Sequence, residues 1–375
     1  MGQREQGAQQ RNFGLDLVRA LAIVLVLLAH GTALVAGVLP DTSRFILLYI
    51  GGYFGVELFF ALSGCLIVGG LLRQLDTRPV LDGRAVVTFW QRRWWRTLPN
   101  YAVFLCLNAT LFAAWFQTPL PDALYLIFAQ NLAWPHPPAM GEAWSLAVEE
   151  WFYLLLPVLL LLSLKLLPQP RKAVPILLML WVMVGALARL AVAHFIEPEW
   201  DAGLRKIALL RLDAIAWGGL AACWMHYRPA QAARMACSSY WLGLLGLLVS
   251  TVWLSIGVVN LFQPLMAYVW LFTLTGASIA LCLPKAVYWR PAPRRYMLLV
   301  TGLSRTSYSL YLVHFSFALP LMQLPIIVAH TSLPWRLIGY LGISLAAAYA
   351  AYRLVEKPTL ALRERTLSPA STRPE

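Results

Sequence analysis

The chain has 375 residues, 60% of them hydrophobic and only 13% charged. That apolar share exceeds what a soluble core needs, so the bilayer is the solvent this sequence fits. The net charge of +13 is explained by membrane topology without invoking nucleic acid, because cytoplasmic loops concentrate Lys and Arg. Cys65, Cys106, Cys223, Cys237 and Cys282 are scattered without metal-ligand spacing, so they read as small apolar residues and no metal site is expected.

Apolar runs of roughly twenty residues, separated by Pro, Gly and charge clusters, predict an all-α polytopic transmembrane bundle of about ten spans. They lie near 15–38, 46–72, 98–118, 144–167, 174–196, 207–227, 240–260, 263–283, 300–329 and 335–355. The first holds Arg19 and His30. Their separation is about three helical turns, or ~16 Å, so both point down one face. An ionisable group within a span costs on the order of 3 kcal/mol, so such residues mark a polar interior. The pair is expected to line one water-accessible cavity.

The second run carries Glu57 and Ser63 in GVELFFALSG, and its Gly51, Gly52 and Gly55 predict a tilt or break. Ahead of the third lies FWQRRWWRTLPNY, from Phe89 to Tyr101. Here Arg92, Arg93 and Arg96 form a fork suited to phosphates, and Trp94 and Trp95 offer an adenine-sized stacking surface. The same pattern also fits a positive-inside anchor with interfacial aromatics. Between the third and fourth spans, the loop from Pro119 to Gly141 includes Trp134, which can stack on a sugar face or simply anchor at the interface.

The fourth run opens with WSLAVEEWFY. Ser145, Glu149 and Tyr153 recur at four-residue spacing and share a helix face, while Glu150 is rotated by about 100°. In RLDAIAWGG of the sixth, Arg211 and Asp213 stand two apart, cannot face each other, and each need a partner elsewhere. The ninth contains Ser307, Tyr308, Tyr311 and His314 in SYSLYLVH, followed by Pro320 and Pro325, which again predict a tilt or break. His314 taken alone fits a satisfied core histidine as well as a site residue. His136, His194, His226 and His330 lie near presumed interfaces and receive no role.

Basic residues set the expected orientation. With the N-terminus inside, the inner segments hold 24 Lys and Arg and the outer ones four, Arg44, Arg205, Lys206 and Arg336, with Arg189 and Arg211 inside spans. Both termini are therefore expected in the cytoplasm. The expected organisation is an N-terminal tail over 1–14, a membrane domain over 15–358 and a C-terminal tail over 359–375. The first apolar run is full length and is read as a retained span, not a cleaved signal.

The run LDLVRALAIVLVLLAH resembles the Arg-ten-residues-His signature of the acyltransferase-3 family, integral membrane enzymes that acylate sugars and other hydroxyl acceptors. GVELFFALSGCLI, RRWWRTLPNY, WSLAVEEWFYLLLP, RLDAIAWGG, LSRTSYSLYLVH and VEKP resemble its other signatures, in order, from Leu15 to Pro358. Glu57 stands where the family more often has Asp, and Cys65 replaces a frequent aromatic. The resemblance implies a ten-helix, multi-pass enzyme of the inner (cytoplasmic) membrane, without an appended esterase-like domain. It would carry an acyl group, usually acetyl, from cytoplasmic acyl-coenzyme A, a co-substrate and not a tightly bound cofactor. The acceptor would be a glycan or lipid-linked sugar at the outer face. Arg19 with His30, Arg93 with Arg96, and Glu149 with the Ser145 motif carry over as site residues.

The chemistry can also be argued from the side chains. Transfer from a thioester to a hydroxyl needs a base, an oxyanion stabiliser and a donor site. His30 is the candidate base, and Glu149 is expected to hold its imidazole as the orienting carboxylate of a hydrolytic triad does. Arg19, at the cytoplasmic end of the same face, joins Arg92, Arg93 and Arg96 in recognising the donor. A secondary transporter would also place charges in its spans, but two matching inverted halves are not visible. A purely structural or sensory protein leaves the buried charges unexplained.

Overall fold

A computed structural model describes residues 12–77, 81–289 and 293–367. Most of the expected N-terminal tail, the end of the expected C-terminal tail, and Arg4, Arg11, Arg78, Arg290 and Arg373 of the charge count lie outside the described residues. The described chain is helical and forms no strand. Its long helices are α1 (Phe13–Gly31), α2 (Asp41–Thr77), α3 (Gly83–Leu107), α4 (Ala143–Leu166), α5 (Pro170–Phe195) and α6 (Leu212–Tyr227). Then follow α7 (Pro229–Val259), α8 (Trp270–Val287), α9 (Arg294–Val313), α10 (Leu333–Ala351) and α11 (Lys357–Leu367).

Nine helices among the described residues are long and apolar enough to cross a membrane, where the sequence pattern suggested about ten. The one that falls short is the ninth. There α9 stops at Val313, a π-turn runs over His314–Ala318, and two short helices, Leu319–Gln323 and Pro325–His330, complete the segment. Its serines, two threonines and Arg305 lower the apolarity of the first half, and Pro320 and Pro325 each remove a backbone donor. The second run behaves oppositely: α2 is unbroken despite Gly51, Gly52 and Gly55. Those glycines serve packing, since a Cβ at Gly55 would lie 2.9 Å from the Ala22 carbonyl of α1.

Close approach between α2 and α6 has the same origin. A Cβ added at Gly64 would sit 1.8 Å from the Ile215 carbonyl, and one at Gly218 would sit 1.7 Å from the Ala61 carbonyl. Only hydrogen fits at either point, so the two backbones pack directly on each other. Two buried ion pairs stand at the start of α6. Arg211, just before α6, binds Glu57 of α2, and Arg189 of α5 binds Asp213 of α6 through two hydrogen bonds of 2.8 and 2.7 Å. Both guanidinium groups also lie over the Phe272 ring, at 4.2 and 5.1 Å from its centroid. Arg211 and Asp213 thus each find a partner on another helix, as their two-residue spacing requires.

One end of the bundle gathers the start of α1, the ends of α2, α6 and α8, the middle of α9 and the residues after α10 around a shared opening. Toward the other end lies an inward-packed connection between α3 and α4. Gln130 and Asn131 are fully buried there. Asn131 donates to the Trp144 and Lys206 carbonyls, while its own carbonyl receives the Ala208 amide. Tyr125 donates to the Ala139 carbonyl at 2.6 Å. These bonds satisfy backbone groups that a non-helical segment at membrane depth would otherwise leave unpaired. Trp134, on the same connection, stays exposed.

Candidate active site

A cavity of about 90 Å³ occupies the middle of the bundle, where α1, α2, α3, α4 and α9 converge. The four-residue repeat of α4 brings Ser145, Glu149 and Tyr153 to its wall together, and α2 contributes Ser63. Both Glu149 oxygens are engaged: Ser63 Oγ donates to one at 3.0 Å and the Tyr153 hydroxyl to the other at 2.8 Å. Arg93 and Arg96 of α3 line the same space, as do Ser307, Tyr308 and Tyr311 of α9.

A second, open cavity of about 670 Å³ lies at the end where α1 begins. Arg19, Leu66 and Arg96 border both spaces, so the two adjoin at these side chains. Arg73 and Arg305 add positive charge to the opening, against Asp16 and Glu356. Arg19 is held 3.3 Å from Ser304 Oγ and 3.8 Å from Asp16, and Ser304 donates to Asp16 at 2.6 Å. Glu356, from the VEKP signature, accepts from Ser309 at 2.9 Å, and Ser309 accepts from Asn100 at 3.0 Å, which ties α3, α9 and the turn after α10 together.

His30 stands at the opposite end of α1. Its Nδ1 is 2.9 Å from Nε2 of His314, a fully buried residue whose own Nδ1 is 3.0 Å from the Leu310 carbonyl. Phe315 packs on the His30 ring at 4.7 Å between centroids. The expected contact between His30 and Glu149 is therefore not made: the carboxylate turns to Ser63 and Tyr153, one helix face away, and the imidazole meets another imidazole. The expectation that His30 and Arg19 line one cavity is also corrected. Arg19 borders both spaces and His30 borders neither. Between them stands Tyr311, whose hydroxyl is 2.6 Å from Ser145 Oγ and 3.2 Å from the Glu142 carbonyl, with its ring 5.8 Å from that of His314.

Other sequence candidates separate in the same way. Arg92 is exposed and lines neither cavity, unlike its neighbours Arg93 and Arg96. Glu150 is buried off the cavity wall, as its rotation about α4 dictates. Glu57, Arg211 and Asp213 belong to the ion pairs behind the wall. The stretch bearing Arg92, Arg93 and Arg96 lies well inside α3, which starts fifteen residues before the expected span.

Near His30 the structure adds groups that the sequence reading passed over. Glu142, immediately before α4, is buried and accepts from Ser316. Burial lifts its carboxyl to about 7, partly offset by the Ser316 hydroxyl. Arg205 lies over the Trp144 ring at 4.7 Å and is paired with Asp201, which Lys206 also binds, at 2.6 Å. Although burial opposes it, those two cations hold the Asp201 carboxyl down at about 2. The adjacency of Glu142 to the WSLAVEE motif was the signal available; Ser316, 174 positions away, offered none.

A family model described as an acyltransferase domain (Acyl_transf_3) matches residues 12–353. Among curated proteins, O-acetyltransferase OatA of Staphylococcus aureus (strain NCTC 8325) is 29% identical over 202 residues, covering 50% of this chain and 30% of that protein. Peptidoglycan O-acetyltransferase OatA of Listeria monocytogenes serovar 1/2a is 28% identical over 204 residues, covering 50% and 29%. Putative peptidoglycan O-acetyltransferase YrhL of Bacillus subtilis (strain 168) is 30% identical over 167 residues, covering 40% and 24%. The chain thus matches less than a third of the length of each of these relatives. No solved structure gives a significant match. With the family model spanning nearly the whole described chain and nine apolar helices around a polar interior, the protein belongs to the Acyl_transf_3 acyltransferase family, as a multi-pass membrane member.

Proposed function

We propose that this membrane acyltransferase takes an acyl group, acetyl in the first instance, from acyl-coenzyme A at the cytoplasmic face and delivers it to a carbohydrate hydroxyl at the other face. A peptidoglycan-type glycan is the acceptor to test first, by analogy with the names of the relatives. The observation that carries the reading is that the basic opening adjoins the middle cavity at Arg19 and Arg96, and that Tyr311 on the cavity wall leads through His314 to His30. The excess of Lys and Arg at the end where α1 begins supports a cytoplasmic opening, with both termini on that side of the inner membrane.

In this reading Arg19, Arg93 and Arg96 meet the anionic part of the donor, because guanidinium forks match phosphate oxygens. The acyl end reaches inward along the cavity toward Tyr311. His30 accepts the proton of the acceptor hydroxyl as its oxygen attacks the thioester carbonyl. The tetrahedral oxyanion then collapses, the carbon–sulfur bond breaks, and the leaving thiolate takes up the proton. Glu149 holds Ser63 and Tyr153 in place on the cavity wall.

The test uses purified protein in proteoliposomes of known orientation. Acetyl-coenzyme A labelled in the acetyl group is supplied on the side of the α1 start, and glycan strands on the other. Label on the glycan, released by mild alkali as acetate, supports the proposal. Label that crosses still bound to coenzyme A indicates a transporter, and label that stays put rules out the reaction.

A further inference from the structure

We infer that His314 is a positioning residue that sets the tautomer of His30, leaving His30 Nε2 as the unprotonated nitrogen that receives the acceptor's proton. The inference rests on the acyl-transfer reading for its consequence, but its starting point is the hydrogen-bond chain itself.

A carbonyl oxygen can only accept, so the contact between His314 Nδ1 and the Leu310 carbonyl requires a proton on Nδ1. His314 is fully buried among the Leu310 and Tyr311 backbone, the His30 imidazole and the rings of Tyr311 and Phe315, none of which gives an imidazolium a counter-ion. A neutral ring carries one N–H, so His314 Nε2 offers a lone pair. His30 Nδ1, 2.9 Å away, must then be the donor. The same one-proton rule leaves His30 Nε2 without a proton, its lone pair able to accept one.

The backbone is shaped for this. At His314 the chain leaves the α-helical ladder of α9 and enters the π-turn His314–Ala318, a local widening of the kind found at functional sites. The Leu310 carbonyl accepts both the His314 amide and the His314 ring, which leaves the ring little freedom to turn. His314 thus does for His30 what an orienting acid does in a hydrolytic triad, with a lone pair in place of a carboxylate.

Two variants and two readouts test this. His314→Phe keeps the ring volume and removes the acceptor. His314→Gln restores an acceptor oxygen but cannot pass a proton along a ring. Nitrogen-15 resonances of the six histidines in the full-length protein report which nitrogen of His30 is protonated, whether or not transfer is observed. The expected result is Nδ1–H in the wild type and loss of that single tautomer in His314→Phe. Turnover in that variant should fall by about 10³-fold or more, as when an orienting group is lost, while the donor KM stays within about threefold. His314→Gln should recover the tautomer and come within about tenfold of wild-type turnover. The inference is overturned if wild-type His30 is protonated on Nε2, if His314→Phe turns over normally, or if His314→Gln has the right tautomer yet is as inactive as His314→Phe. Unchanged resonances from the other histidines show that the variants fold. A wild-type protein that transfers no acetyl refutes the proposed reaction, while the resonances still decide the tautomer.

Discussion

Ser63 and Glu149 meet across the middle cavity, with the hydroxyl donating to the carboxylate at 3.0 Å and so joining α2 to α4. Tyr153 donates to the second oxygen. Removing the shared acceptor leaves two buried donors unpaired, whereas removing Ser63 leaves one bond intact. Glu149→Ala is therefore expected to destabilise the protein by about 2–4 kcal/mol and Ser63→Ala by about 1 kcal/mol. Thermal unfolding in detergent reads the difference. Equal losses in the two variants would mean that Glu149 does not organise this wall.

Much of this wall was legible in the sequence, for a simple geometric reason. Ser145, Glu149 and Tyr153 share a face because helical periodicity alone puts them there, and Arg211 and Asp213 need separate partners for the same reason. What periodicity cannot supply is the register between helices. Glu149 and His30 looked like partners because a carboxylate and an imidazole make a familiar pair. Yet the partner of His30 comes from a π-turn 284 residues away. The broken ninth segment had its prolines as a signal, whereas the buried Glu142–Ser316 contact had only the tertiary fold.

Arg92 and Arg96 test the donor path. Arg96 borders both cavities, whereas Arg92 is exposed and borders neither. A charge-assisted bond to phosphate is worth about 1.5–3 kcal/mol, so Arg96→Ala should raise the KM for acetyl-coenzyme A by about tenfold or more. Arg92→Ala should change it by less than about twofold. Initial-rate measurements over a range of donor concentrations separate the two, and a larger effect at Arg92 would move the donor site to the exposed face of α3.

Glu142 gives a pH dependence with a defined sign. Burial raises its carboxyl from 4.5 to about 7. The native state therefore holds the proton more tightly than the unfolded chain. Its stabilising contribution is complete below about 4.5, declines as pH rises, and is lost once pH passes about 7. The full swing is on the order of 3 kcal/mol. Glu142→Gln should flatten this part of the stability profile and leave the variant more stable than wild type above neutrality. Melting temperatures from pH 5 to 8 check it; parallel curves for the two proteins would show that Glu142 titrates elsewhere.

The buried pair of Arg189 and Asp213 makes the sharpest prediction about the fold. Each is almost wholly inaccessible, and the two share a double hydrogen bond between α5 and α6. Replacing one partner strands the other charge in a low-dielectric interior, at a cost of about 3–5 kcal/mol, whereas an apolar pair of similar volume avoids that penalty. Arg189→Met and Asp213→Leu should each unfold far more readily than wild type in an SDS titration. The double variant should recover most of the loss, giving a coupling energy of about 2 kcal/mol or more in a double-mutant cycle. Gly185, whose added Cβ would lie 3.0 Å from Asp213 Cγ, shows how closely α5 approaches at this point, so the larger Leu side chain is the harder half of the exchange. If the two single losses simply add, the pair is not acting as a unit, and α6 is held mainly by its glycine contacts with α2.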